Sequence, residues 1–121
     1  MKKLVVVIFA LLSFAMSSYG QQSIDPENYC GYWKSDGTTE RIVVFKDANE
    51  HLQSVAWDAM DGEVLNVYKP AFENNMLTTT EFCPSTQYLT YNYYTLVNTN
   101  MLKDSIVGDG KATLVYFTRV K

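Results

Sequence analysis

The sequence has few of the residues on which most enzyme active sites depend. Among its 121 residues one is a histidine, His51, and two are cysteines, Cys30 and Cys83. A Ser-His-Asp arrangement and a histidine-rich metal site both need imidazoles that this chain lacks. A glycine-rich phosphate loop is also missing, because Gly108-Asp109-Gly110 is the pattern of a hairpin turn. We therefore predict a protein that is not an enzyme and that binds no cofactor and no metal.

Clustered basic residues are absent as well. The chain has ten Lys and Arg against thirteen Asp and Glu, and without Lys2 and Lys3 eight basic residues leave a formal charge of −5. Nucleic-acid binding needs grouped Lys and Arg to displace counterions from phosphates. Anionic membrane surfaces attract the same kind of segment. The composition therefore excludes nucleic acid and anionic membranes as expected partners.

No apolar run is long enough to span a bilayer, which takes about 20 residues. The longest, residues 4–16, follows two lysines and precedes Ser18-Tyr19-Gly20, which places small residues where a signal peptidase reads. We predict that residues 1–20 are a secretory signal peptide cleaved near Gly20. Residues 21–121 would then form one exported domain, periplasmic or secreted, that does not span a membrane after cleavage.

What the chain does contain is a regular succession of eight β-type runs, separated by turn segments rich in Gly, Asn, Asp and Pro. This spacing predicts an all-β fold, an eight-stranded antiparallel up-and-down barrel. Such a barrel is just wide enough for packed side chains or one small ligand. The predicted strands are Tyr29–Ser35, Thr39–Lys46, His51–Asp58, Glu63–Lys69, Met76–Phe82, Gln87–Leu96, Met101–Val107 and Lys111–Val120.

Three local features follow from this strand order. Pro70 cannot donate to a ladder, so it should end the fourth strand or lie on an edge, with the turn at Lys69-Pro70 or Asn74-Asn75. Residues 25–28 favour one helical turn capped by Asp25. Cys30 and Cys83 fall at opposite ends of the barrel, because the first and fifth strands run in the same direction. We therefore expect two unpaired thiols, since a disulfide needs Cα atoms within about 7 Å.

Alternation of side chains predicts which faces point into the barrel. In the fifth run, the charge of Glu81 suggests that its own face is in solvent. In the last run the pattern does not decide. The residues predicted to point inwards are Val55 and Trp57 in the third run, Met76, Thr78, Thr80 and Phe82 in the fifth, and Leu89, Tyr91, Tyr93 and Thr95 in the sixth.

The Gly31-x-Trp33 sequence on the first strand, combined with Arg119 near the end of the last, resembles the lipocalin and wider calycin group. The resemblance implies that Trp33 plugs the closed end of the barrel and that Arg119, or Lys121 in its place, packs over the indole. Gly31, Trp33 and Arg119 would then close the barrel. The chain is shorter than typical lipocalins, lacks their Thr-Asp-Tyr motif, and has no helix after the barrel. A minimal lipocalin-like domain is therefore indicated.

The same resemblance implies a small hydrophobic or amphipathic ligand inside the barrel. Nine tyrosines and two tryptophans suit such a ligand, because tyrosine joins a flat apolar ring to a hydrogen-bonding hydroxyl. The residues predicted to line the pocket are Trp57, Tyr68, Tyr91, Tyr93 and Tyr116.

Two other functions stay open. A filled barrel that binds another protein would explain why Ile42-Val43-Val44-Phe45 is apolar on both faces of its strand. A small isomerase or cyclase is disfavoured by the single histidine and by the expectation that no paired carboxylates lie inside.

Overall fold

The structure is a computed structural model that describes residues 23–121; the predicted signal peptide lies outside these residues. Eight strands follow one short 3₁₀ helix, so the all-β prediction is confirmed. The helix spans Pro26–Tyr29, and the Asp25 side chain caps it by accepting from the Glu27 amide, as predicted. The strands are β1 Gly31–Ser35, β2 Glu40–Lys46, β3 Leu52–Asp58, β4 Asn66–Glu73, β5 Met76–Cys83, β6 Tyr88–Asn98, β7 Met101–Gly108 and β8 Lys111–Arg119.

The strands form one antiparallel sheet that curls into a nearly closed up-and-down barrel. Their order is β3-β2-β1-β8-β7-β6-β5-β4, so the first and last strands pair, with Trp33 opposite Arg119. No continuous ladder joins the two ends of the sheet, β3 and β4, in the described residues. Val64, just before β4, forms an isolated bridge with Trp57, and the amides of Asp58 and Leu65 donate to the carbonyls of Glu63 and Ala56. We call this junction the seam. Within residues 23–121, no helix is long and apolar enough to cross a membrane.

Pro70 was predicted either to end the fourth strand or to lie on an edge strand, and the structure shows the second. The proline lies inside the strand, at a register shift between Tyr68 and Ala71. Because β4 ends the strand order, Pro70 sits on an edge strand, where a missing N–H is tolerated. The chain turns at Asn74-Asn75, whose φ angles of 53° and 61° are those of a left-handed turn.

One half of the barrel is filled by a hydrophobic core, with side chains from the 3₁₀ helix and from seven strands, all but β4. Trp33, Tyr29, Tyr94 and Phe117 are its largest members, and all four are completely buried. Burial of this much aromatic surface closes that end to solvent. The remaining core residues are Ile42, Val44, Leu52, Leu77 and Leu102.

The inward faces predicted for β3, β5 and β6 are wrong. Val55, Leu89, Tyr91 and Tyr93 lie on the outer surface and are between 38% and 51% exposed. In β5 the set Met76, Thr78, Thr80 and Phe82 is the more exposed one, and Glu81 points inwards. The physical reason is that Glu81 finds hydrogen-bond donors inside the barrel, so its charge does not force it into solvent. The buried residues of these strands are Leu52, Ser54, Ala56, Leu77, Thr79, Glu81, Asn92 and Tyr94.

Both cysteines are free thiols, as the strand directions predict. Cys30 lies just before β1, and Cys83 ends β5.

Candidate functional site

The filled end of the barrel is fastened by Trp33 and Arg119. The Trp33 indole nitrogen donates to the Tyr29 carbonyl at 3.0 Å, and the Arg119 guanidinium carbon lies 4.2 Å from the Trp33 ring centroid. The contact predicted from the sequence is therefore present, and such a contact contributes about 0.5–2 kcal/mol. Arg119 also donates to the carbonyls of Cys30, Asn28 and Thr99 at 2.7, 2.8 and 2.9 Å. This clasp ties the start of the domain to its last strand.

Gly31 is the residue that lets the Arg119 side chain enter the clasp. Its φ of +146° disfavours any residue with a side chain, and a Cβ there would lie 2.4 Å from Arg119 Nη1. We expect Gly31→Ala to destabilise the fold by about 1–3 kcal/mol in urea unfolding. Gly37→Ala is the matched control, because no atom lies within 4 Å of a Cβ at that position. Equal stability of the two variants would contradict this role.

A cavity of about 340 Å³ opens at the other end of the barrel. This volume lies near the lower limit of small-molecule pockets, which span roughly 300–1,000 Å³. Its inner wall carries acidic, amide and aliphatic side chains, whereas its rim comes from the turns and the seam. The lining residues are Thr38, Thr39, Glu40, Trp57, Asp58, Glu63, Leu65, Glu81, Cys83, Tyr88, Thr90, Asn92 and Ile106.

Glu40 and Glu81 line the cavity, and Asp104 is buried close enough for their charges to act on it; we call these three acids the carboxyl cluster. Glu81 Oε2 accepts from the Tyr94 hydroxyl at 2.5 Å and from the Thr79 hydroxyl at 2.7 Å. The Tyr94 hydroxyl and the Tyr93 backbone lie close enough to Asp104 to oppose the rise in its pKa that burial causes, but neither forms a hydrogen bond with its oxygens. The barrel interior therefore combines an apolar half with an acidic layer above it.

Burial raises the pKa of all three carboxyls, and the negative charges of neighbouring acids raise those of Glu40 and Asp104 further. Burial, followed by the negative charges of Glu81 and Asp58, raises the pKa of Glu40 to about 7. Burial, followed by the charges of Glu81 and Glu40, raises the pKa of Asp104 to about 9. Burial also raises the pKa of Glu81, against the hydrogen bonds from Tyr94 and Thr79. The charges of neighbouring side chains that act on Glu40 and Asp104 are all negative.

Glu63 organises the rim of the cavity next to the seam. Its carboxylate accepts from the Cys83 thiol at 3.0 Å, from the Ser85 amide at 2.9 Å and from the Ser85 hydroxyl at 2.7 Å. These bonds join the segment before β4 to the turn between β5 and β6. The Cys83 thiol is thereby engaged as a hydrogen-bond donor.

Of the five residues predicted to bind ligand, the structure brings one, Trp57, to the edge of the cavity. Trp57 is half-buried, and its ring packs edge-on against Tyr32 of the outer face, with ring centroids 5.7 Å apart. The other four lie on the outer face and are 38% to 51% exposed, so the inward orientation expected for the pocket is wrong for them. These are Tyr68, Tyr91, Tyr93 and Tyr116.

The sequence reasoning missed the carboxyl cluster. One signal for it was present: in β7, Asp104 has the same phase as Leu102 and Ile106, so an acid occupies an otherwise apolar face. Among the described residues, no group of three or more His, Cys, Asp or Glu is arranged to hold a metal ion.

No protein-family model matches the chain, and no curated protein matches it in sequence. Among solved structures, it is similar to the crystal structure of pallilysin from Treponema pallidum, with a TM-score of 0.52 and 13% identity. The match covers 95% of this chain and 98% of that chain. At this identity the likeness concerns the fold alone. The nearly closed eight-stranded barrel is consistent with a calycin-like architecture.

Proposed function

We propose that this protein is an exported, lipocalin-like domain that binds one small hydrophobic or amphipathic molecule, without turnover, in the cavity opposite the clasp. The observation that carries the proposal is the division of the barrel. One half is filled by a core around Trp33, and the other half holds a cavity of about 340 Å³. Export is proposed from the signal-like N-terminal sequence.

Binding would be driven by removal of apolar surface from water, which contributes roughly 25 cal/mol per Å². Trp57, Leu65 and Ile106 supply apolar surface to the cavity, while Asn92 and Tyr88 supply polar groups that can orient a ligand. The core occupies the rest of the barrel, so the ligand must be small.

Trp57 provides a direct test, because the chain has two tryptophans and the other, Trp33, is buried in the core. We expect 2-phenylethanol or 1-hexanol to change the intrinsic fluorescence of the mature protein. Trp57→Ala should weaken their binding about tenfold, the effect typical of an aromatic anchor. Isothermal titration calorimetry gives the affinities. Tyr91→Ala, on the outer face, is the control and should bind as the unmodified protein does.

Absence of uptake across a broad panel of small apolar probes would overturn the proposal. Equal weakening by Trp57→Ala and Tyr91→Ala would contradict the location of the site.

A second candidate function, an interaction module without a small ligand, is favoured by the apolar outer face of strands β4 to β8. Its exposed aromatic and aliphatic side chains include Tyr68, Tyr91, Tyr93, Leu114 and Tyr116. Size-exclusion chromatography with light scattering separates the two functions. Self-association that disappears in Tyr91→Ala and persists in Trp57→Ala would favour the module.

The buried carboxyls bear on whether the protein is an isomerase or cyclase. The expectation that no paired carboxylates lie inside the barrel is wrong, because Glu81 and Asp104 are both buried there. A carboxyl group with a pKa near the working pH is also what general acid–base catalysis uses. Mass spectrometry of probes after incubation tests turnover. Probes recovered unchanged support binding alone.

A further inference from the structure

Asp104 and Ser54 carry the buried side-chain oxygens that have no hydrogen-bond partner among the described residues. Asp104 is the titratable one: it is fully buried and lies two residues before Ile106 of the cavity wall, on the inward face of β7. A buried carboxyl without a hydrogen bond costs free energy, and the great majority of such groups in folded proteins have partners. The negative charges of Glu81 and Glu40, which line the cavity, act on Asp104.

The other two acids also retain free acceptor atoms. Glu81 uses Oε2 for both of its hydrogen bonds, and its Oε1 accepts none from the described residues. The Glu40 carboxylate likewise accepts no bond from that part of the chain, although Arg41, beside it on β2, donates to the Glu40 backbone carbonyl at 3.1 Å. Both side chains line the cavity. Glu40 and Glu81 therefore keep acceptor oxygens open towards the cavity.

The charge of a ligand group that would bind these oxygens follows from the groups that face the cavity. Glu40 of β2 faces Asp58 of β3, Glu81 of β5 and Asp104 of β7, with the Tyr94 hydroxyl of β6 bound to Glu81. Glu63 and Cys83 lie at the rim and bond to each other. Arg41, whose charge acts on Asp58, does not line the cavity. Every charged group that does line it is an acid, so the complementary ligand group is a cation. The described residues provide no metal-binding arrangement, which favours an organic cation over a metal ion.

We infer that the ligand carries a primary ammonium group, which binds to Glu40 and Glu81 with Asp104 beneath them, while its apolar part lies against Trp57 and Leu65. This inference rests on the proposed binding function. An ammonium group presents three donors and no acceptor, which fits an acceptor-rich floor. The apolar residues of the cavity then cover the carbon skeleton of the same molecule.

Ligand binding should be coupled to proton release. In the empty cavity Glu40, whose pKa is about 7, holds a proton for part of the time at neutral pH. An ammonium ion nearby favours the carboxylate form, so the proton leaves to solvent as the ligand enters. The ligand amine itself stays protonated, since its ordinary pKa is about 10. Affinity for an amine should therefore rise between pH 6 and pH 8.

The test compares 2-phenylethylamine with its uncharged analogue 2-phenylethanol by isothermal titration calorimetry on the mature protein. At pH 8 we expect the amine to bind at least tenfold more tightly, and at pH 6 we expect most of this preference to be lost. Titrations in two buffers of different ionisation enthalpy should show proton release near pH 7. Glu40→Gln and Glu81→Gln should each weaken amine binding about tenfold, a larger factor than the change in alcohol binding.

The outcomes separate this inference from the proposed function. If both probes bind equally, or if amine binding is unaffected by pH and by both amide variants, the ammonium site is wrong while the binding function stands. If neither probe nor the wider panel binds, both are overturned. Should Glu81→Gln fail to fold, Glu40→Gln decides, because the Glu40 carboxylate makes no hydrogen bond on which the fold depends.

Discussion

Trp33→Ala is expected to lower the free energy of unfolding by about 3–5 kcal/mol, the range for removal of a large buried aromatic side chain. Trp33 is completely buried, donates to the Tyr29 carbonyl, and carries the Arg119 guanidinium over its ring. Because small domains have about 5–15 kcal/mol of stability in total, the variant should be close to unfolded at 37 °C. Urea unfolding followed by circular dichroism measures the loss.

Tyr116→Ala is the control for this experiment, since Tyr116 is an aromatic residue of β8 that is 40% exposed. It should cost far less than Trp33→Ala, because much of its ring is already in water. A Trp33→Ala variant within about 1 kcal/mol of the unmodified protein would show that the clasp does not hold the barrel together.

The stability of the barrel should fall as the pH rises from about 4 to about 9, the reverse of the usual acid sensitivity. The pKa of Asp104 rises from 3.8 to about 9 on folding, so between these values the folded state binds a proton that the unfolded state has lost. Its stabilising contribution is complete below pH 4 and is lost as the pH approaches 9. At 1.36 kcal/mol per pH unit, the loss by pH 7 is on the order of 4 kcal/mol.

Glu40 adds to this dependence between pH 4.5 and about 7, and the raised pKa of Glu81 acts in the same direction. The lowered pKa values of Asp47, Asp58 and Glu63 act oppositely, at the acid end of the range, where these half-buried carboxylates become protonated. The neutral range is thus governed by the buried cluster.

Asp104→Asn keeps the shape of the side chain and removes its titration. We expect it to be more stable than the unmodified protein at pH 8 and to show a much flatter pH profile, measured by urea unfolding at pH 5, 6, 7 and 8. Asp109→Asn, in the exposed turn before β8, is the control with the same change of charge. Unmodified protein that gains stability from pH 5 to pH 8 would rule out a protonated interior.

The strands were predictable from the sequence because their boundaries are set by local chemistry. Asp36-Gly37, Asp61-Gly62 and Asp109-Gly110 all fall between strands, where left-handed or tight backbone conformations are needed. The contact between Trp33 and Arg119 was predictable because the first and last strands of an up-and-down barrel must pair.

Which face of each strand points into the barrel was harder to predict. Alternation along a strand identifies the inward face only when the two sets of side chains differ in polarity. In β6, tyrosines occupy both sets: Tyr94 is buried and Tyr91 is exposed. In β5, the expectation that a charged side chain lies in solvent is wrong for Glu81, which accepts hydrogen bonds inside the barrel. One donor, Thr79, is two residues earlier on the same strand. The other, Tyr94, is on β6, and the sequence alone does not bring it beside Glu81. The cluster therefore depends on register, which is a property of the assembled sheet.

The seam is the weakest junction in the barrel wall. Continuous ladders join the other neighbouring strands, whereas the seam is held by the Trp57–Val64 bridge, by backbone hydrogen bonds between residues 56–58 and 63–65, and by the bonds from Ser85 to Glu63. Trp57, Glu63 and Leu65 border both this junction and the cavity. Local separation of β3 from β4 would therefore widen the cavity without unfolding the rest of the barrel.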